Sequence, residues 1–168
     1  MAEENAVVEN GKNMNQQDII KLSAEQHFAE ELATLTEHDH APKPQGWLRS
    51  PKAVRQFILG DEKLAISRKF YGDDALVDRA IVTLLGKQGL MLVGEPGTAK
   101  SMLSELLAAA ISGDSGLTIQ GTAGTTEDHL KYSWNYALLL AEGPNEKSLV
   151  SSPVYQAMQQ GKNICFED

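Results

Sequence analysis

An α/β fold with a parallel sheet is what this sequence predicts, and three observations carry that reading. The apolar run Leu90-Met91-Leu92-Val93 leads into Gly94-Glu95-Pro96-Gly97-Thr98-Ala99-Lys100-Ser101. That loop opens a helical pattern at Met102-Leu103-Ser104-Glu105-Leu106-Leu107. Residues 117–120 and 163–168 read as two further strands, the last ending in two acids. Apolar residues at consecutive positions in 90–93 fit a parallel strand covered on both faces.

The elements follow in order. Residues 1–15 are polar and read as disordered. From Gln16 to about Thr36, Ile19, Ile20, Leu22, Phe28, Leu32 and Leu35 recur at helical spacings. This is an amphipathic helix with a face for the protein body or for a partner, and core packing is the simpler use. Pro42-Lys43-Pro44-Gln45-Gly46 is a breaker-rich linker. The chain therefore divides into an extension and linker over 1–45 and an α/β domain over 46–168. His38 and His40 lack the further ligands a metal site needs and read as a solvated loop.

Ser50-Pro51 is an N-cap followed by proline at the first helical position. Gly60 ends that helix. Asp73-Asp74 caps the next one, which carries Leu76, Val77, Ala80, Ile81, Leu84 and Leu85 and stops at Gly86. After the glycine loop and its helix, 113–116 is a turn and 121–126 a loop. Residues 134–142 are helical in composition, Gly143-Pro144-Asn145 breaks them, and Ser152-Pro153 starts a short helix ending at Gly161.

Bulk properties narrow the function. The 168 residues are 42% hydrophobic and carry a net charge of −8. Residues 1–45 hold nine acids against three bases, so most of that charge sits in the extension. No run of Lys or Arg offers a nucleic-acid face. No apolar stretch nears the roughly 20 residues of a membrane span, and the acidic start Met1-Ala2-Glu3-Glu4-Asn5 is no signal peptide. One cysteine, Cys165, cannot form an internal disulfide and fits a cytoplasmic setting.

The glycine loop has the layout of a phosphate-binding P-loop: strand, Gly-rich turn, lysine, hydroxyl, helix. Glycines let successive N–H groups converge on one anion, and the helix start adds partial positive charge. Lys100 would reach the β- and γ-phosphates, and the Ser101 hydroxyl would complete a Mg²⁺ shell. The alternative is a plain strand–turn–helix with a solvated lysine. One position departs from G-x-x-x-x-G-K-[ST]: Ala99 stands where glycine is required. Alanine resists positive φ, so a right-handed helical conformation is expected at Ala99.

The second signal is Ile164-Cys165-Phe166-Glu167-Asp168. An apolar strand ending in two acids supplies the metal partner and the water-orienting acid that phosphoryl transfer needs. Glu167 would help hold Mg²⁺ and Asp168 would orient the attacking water. Two solvated acids at a strand end are the alternative. The order is inverted from the common Asp-Glu, which is expected to slow hydrolysis because positioning dominates this chemistry.

With Ala before its lysine, the P-loop resembles that of the MoxR branch of AAA+ ATPases. The segment from Phe70-Tyr71-Gly72-Asp73-Asp74 through Leu85 is similar to the helix preceding the first strand in that branch. Ile119-Gln120-Gly121-Thr122-Ala123-Gly124-Thr125, Ser133-Trp134-Asn135-Tyr136 and Phe166-Glu167-Asp168 resemble one bacterial MoxR-like subgroup. The resemblance covers about residues 46–168. It implies a P-loop NTPase core, a three-layer αβα sandwich with a parallel sheet, here incomplete and preceded by the helical extension. It implies ATP and Mg²⁺ as cofactors, with Gly94, Glu95, Pro96, Gly97, Thr98, Ala99, Lys100, Ser101 and Met102 around the nucleotide. It also implies a cytoplasmic ATPase in hexameric rings, von Willebrand factor A proteins as partners, and chaperone-like remodelling or metal insertion.

The same resemblance implies a core strand order of 5-1-4-3-2. Only the first three strands are found in this sequence, with no sensor residues, arginine finger or lid. The chain is expected to be the amino-terminal part of a longer ATPase, with an exposed strand edge, marginal stability and little turnover by itself. Two alternatives stand beside the remodeller. One is a nucleotide-gated interaction module that scarcely hydrolyses ATP and displays its 16–36 helix. The other is a small-molecule kinase, disfavoured because no arginine follows Arg79.

Overall fold

A computed structural model describes residues 22–167. The readings made for residues 1–15, for residues 16–21 of the 16–36 helix and for Asp168 lie outside the described residues.

The extension is helical but not continuous. Helices α1 (Ala24–His27) and α2 (Ala29–His38) meet at Phe28, which leaves helical geometry. The Phe28 ring packs edge-on against Phe57 at 5.8 Å. Leu32 and Leu35 are buried in the main core, so this part of the extension packs on the body of the protein.

Helix α3 (Pro51–Leu59) starts as its sequence predicts: the Ser50 hydroxyl accepts the Ala53 N–H at 3.2 Å, and Pro51 occupies the first turn. Gly60 stops it at φ +87, where an added Cβ would lie 3.0 Å from the Arg68 nitrogen. A 3₁₀ turn (Glu62–Leu64) leads on to α4 (Asp74–Leu85), whose Asp73 cap accepts the Ala75 N–H at 3.0 Å. Helix α5 (Lys100–Ser112) follows the glycine loop. Val54, Phe57, Ile58, Val77, Ile81, Leu103 and Leu106 from α3, α4 and α5 form one core.

The remaining elements are β1 (Thr118–Gln120), α6 (Glu127–Leu130), β2 (Tyr132–Trp134), α7 (Tyr136–Glu142), β3 (Leu149–Ser151), α8 (Pro153–Gln160) and β4 (Cys165–Glu167). Strands β1 and β4 pair in parallel with Ile119 opposite Phe166. Strands β2 and β3 pair antiparallel with Ser133 opposite Val150. The α/β class and the parallel pairing agree with expectation, but the three-layer sandwich is reduced to a two-stranded parallel sheet.

Two further segments differ from their sequence reading. Residues 90–93 form no strand: Met91 and Val93 are 85% and 82% exposed rather than covered. Leu90 and Leu92 still pack against the core. An apolar run becomes a sheet strand only when a neighbour accepts its backbone bonds, and no described residue does so. Trp134 belongs to strand β2, and Asn135 caps helix α7 by accepting the Leu138 N–H at 3.3 Å.

The extension is fastened to the far end of α5. The Arg49 guanidinium is buried and donates to the Leu32 and Ala110 carbonyls at 3.2–3.3 Å. The Leu48 N–H donates to the Ile111 carbonyl at 2.7 Å. Asp39 accepts both the Ser50 N–H and hydroxyl, at 2.6 and 2.5 Å. The Lys69 side chain is 3% exposed, and its ammonium pairs with Glu31 and lies over the Phe28 and Phe57 rings at 4.7 and 4.3 Å.

Candidate nucleotide site

The glycine loop is built from the sequence upward. Gly97 has φ +80, a region open to glycine at no steric cost, and a Cβ added there would meet nothing within 4 Å. Helix α5 starts at Lys100 without a capping side chain. Its first N–H groups have no intrahelical partner, the arrangement that receives an anion.

Ala99 overturns its expectation. It sits at φ +60, ψ +28, in the left-handed region rather than the right-handed one. Such a conformation costs an L-residue about 1–2 kcal/mol. The chain therefore keeps the backbone that glycine would adopt and carries a methyl group there. That half-buried methyl packs against the core cluster, and the Leu103 N–H donates to the Ala99 carbonyl at 3.0 Å.

Lys100 folds back over its own loop. Its ammonium donates to the Gly94 and Glu95 carbonyls at 2.7 and 2.8 Å and approaches the Thr98 hydroxyl at 3.4 Å. Thr98 in turn donates to the Glu95 carbonyl at 2.8 Å. An incoming phosphate would offer Lys100 a full negative charge in place of two carbonyl dipoles, a stronger partner. The role of Thr98 as a prop for the lysine is invisible in the motif, which leaves that position unspecified.

A cavity of about 960 Å³ runs between residues 89–94 and residues 163–167, and Pro96, Lys100, Ser101 and Glu167 all line it. The P-loop and the first strand-end acid therefore face one space. Ser101 offers a hydroxyl and Glu167 a carboxylate, hard oxygen donors that suit Mg²⁺. Among the described residues no group of three or more His, Cys, Asp or Glu is gathered. Mg²⁺ does not require one, because it keeps waters and takes its other ligands from phosphates. The donor set fits the ion and the loop fits a phosphate. Glu95 and Met102 flank the loop, Met102 40% exposed. Cys165 also lines the cavity, and burial pushes its thiol above the ordinary range.

The cavity has a second property. The Cys165 N–H donates to the Leu117 carbonyl, and the Glu167 carbonyl accepts the Gly121 N–H. Alternate residues of a parallel strand serve opposite neighbours, so the Phe166 N–H and C=O face the cavity, away from β1. Residues 89–93 form no backbone hydrogen bond with any described residue. Two backbone edges that pair with no described residue thus border one slot.

Residues 89–168 match the model of the AAA domain, dynein-related subfamily. This segment is similar to the AAA domain family. The match begins one residue before the apolar run 90–93 and takes in the P-loop and both terminal acids. A relative in Escherichia coli (strain K12), named "Uncharacterized protein YehL", is 60% identical over 141 residues. That alignment covers 84% of this chain and 39% of the relative, so the chain spans about two-fifths of that protein. No solved structure matches the chain. An AAA domain implies use of ATP and Mg²⁺. No helix of the described residues is long and apolar enough to cross a membrane.

Proposed function

We propose that this chain carries the phosphate-binding half of an ATPase of the MoxR-like kind, acting in the whole protein as a chaperone-like remodeller. The observation that carries the reading is the shared cavity. It brings the Gly94–Ser101 loop at the start of α5 against Glu167 at the end of β4. In this reading Gly94, Gly97 and the open N–H groups of α5 hold the phosphates, and Lys100 leaves the Gly94 and Glu95 carbonyls to neutralise them. Ser101 and Glu167 hold Mg²⁺, and Asp168 orients the attacking water. When bound at Ser101 and Glu167, Mg²⁺ would supply neutralisation of phosphate charge. Assembly into hexameric rings and engagement of von Willebrand factor A proteins follow from the MoxR resemblance and belong to the same proposal.

The test is Lys100→Ala in a folded chain, with ADP and Mg²⁺ affinity read by calorimetry. Loss of binding at an unchanged melting temperature is expected. Retained affinity would remove the P-loop reading.

A second reading is a nucleotide-gated module with little hydrolysis. The inverted Glu167-Asp168 order favours it. Burial of Leu32 and Leu35 weighs against it, since the helix face meant for a partner is already in the core. The double substitution Glu167→Asp, Asp168→Glu separates the two in the whole protein: a large rise in turnover supports the slow module, and a fall supports the remodeller.

A further inference from the structure

Three non-glycine residues adopt positive φ among the described residues: Ala65, Lys87 and Ala99. Ala65 ends a 3₁₀ turn and Lys87 follows the end of α4. Left-handed residues are ordinary there, because they terminate helices. Ala99 is different, since it begins a helix. Strain at a helix start persists only where the surroundings enforce it.

What enforces it is visible. The Ala99 methyl packs against the apolar cluster, and the Ala99 carbonyl receives the Leu103 N–H in the first turn of α5. Leu103 itself is 1% exposed. The left-handed turn, the methyl contact and the first helical bond therefore form one junction between loop and core. Lys100 and Ser101 are the next two residues along the chain, so any rotation at Ala99 moves both. Glycine would accept the same φ without strain, but it would also accept many others and would have no methyl to hold it against the core.

We propose that Ala99 is a positioning residue. Its methyl pins the loop–helix junction in one left-handed conformation and so fixes where Lys100 and Ser101 present their groups. This inference rests on the P-loop reading for its function but not for its geometry. The trade is strain for order. A glycine here relieves the strain and loses the anchor, so global stability changes little while the junction loosens.

The experiment is amide hydrogen exchange on the 168-residue chain and on its Ala99→Gly and Ala99→Ser variants, with thermal melts of each. The Leu103 amide reports the junction, and the Gly113 amide, bonded to the Ala109 carbonyl at 3.1 Å, reports the far end of the same helix. In Ala99→Gly the Leu103 amide is expected to exchange about tenfold faster or more, with Gly113 and the melting temperature nearly unchanged. Ala99→Ser, which keeps a Cβ, restores slow exchange. Unchanged Leu103 exchange in Ala99→Gly overturns the inference. So does a matching loss at Gly113 and in melting temperature, which would make the residue merely structural. Lys100→Ala leaves Leu103 exchange untouched and reads nucleotide binding alone, so failure of the P-loop reading is seen separately.

Discussion

Glu25 and Ser115 stand 90 residues apart in the chain, and the Glu25 carboxylate accepts both the Ser115 N–H at 3.0 Å and its hydroxyl at 2.7 Å. The Ser115 hydroxyl is also within 3.3 Å of the Ala24 N–H. The first helix of the extension is thereby tied to the turn that follows the P-loop helix. Hydrogen bonds to a charged group are worth about 1.5–3 kcal/mol when well made, and this pair is only partly buried. Glu25→Ala is expected to cost about 1–2 kcal/mol, read as a lower urea midpoint with an unchanged slope. An unaltered midpoint would mean the extension is held by its apolar contacts alone.

Acid should release the same extension. Burial pushes the Glu25, Glu31 and Asp39 carboxyls upward. Hydrogen bonds from Ser115, from Lys69 and Ser67, and from Ser50 outweigh it, so all three lie below their ordinary ranges. A depressed carboxyl stabilises the fold above its unfolded value and loses that contribution as pH falls through the folded value. Stability is therefore expected to be flat from neutral pH down to about 4.5 for the two glutamates and to fall steadily below it. Urea melts between pH 7 and 3 check this. Stability that rises on acidification would contradict the sign.

Lys69 is held inside the fold by Glu31, with further donation to the Phe57 and Ser67 carbonyls at 3.0 and 2.9 Å. Burial lowers its ammonium below the ordinary lysine range, against the opposing pull of Glu31. Removing the carboxylate leaves a buried cation short of its counter-charge. Glu31→Ala is expected to cost about 2–4 kcal/mol and Lys69→Met less, because the thioether fills the same space without a charge. Chemical denaturation of both variants tests the ranking.

The slot beside β4 should make the chain self-associate. Phe166, Met91 and Val93 are 60%, 85% and 82% exposed along two backbone edges that pair with no described residue. Exposed, apolar edges recruit further strands. Sedimentation at rising concentration is expected to show growing species, and Phe166→Lys to suppress them. A strictly monomeric wild-type chain at high concentration would show that these edges are protected.

Much of this molecule was legible locally. Ser50-Pro51 and Gly60, Asp73 and Gly86, and Ser152-Pro153 and Gly161 each mark a helix end, because capping is settled within four residues. The glycine turn leading into α5 was legible for the same reason: glycines, lysine and hydroxyl are neighbours in sequence. The Phe28 break was not, because the Phe57 ring it meets comes from another helix. Strand β3 was missed because its partner β2 lies across an intervening helix and the run Leu149-Val150-Ser151 is short.

The sequence by itself determined the helix ends, the glycine loop ahead of α5 and the strand that ends at Glu167, all features written in contiguous residues. Tertiary structure alone decided three things. It set Ala99 in a left-handed conformation that local preference opposes, because the core holds its methyl. It buried the extension through Glu25, Arg49 and Lys69, whose partners lie far along the chain. It left 90–93 without strand pairing, since backbone bonds between strands exist only where a second strand is present to receive them.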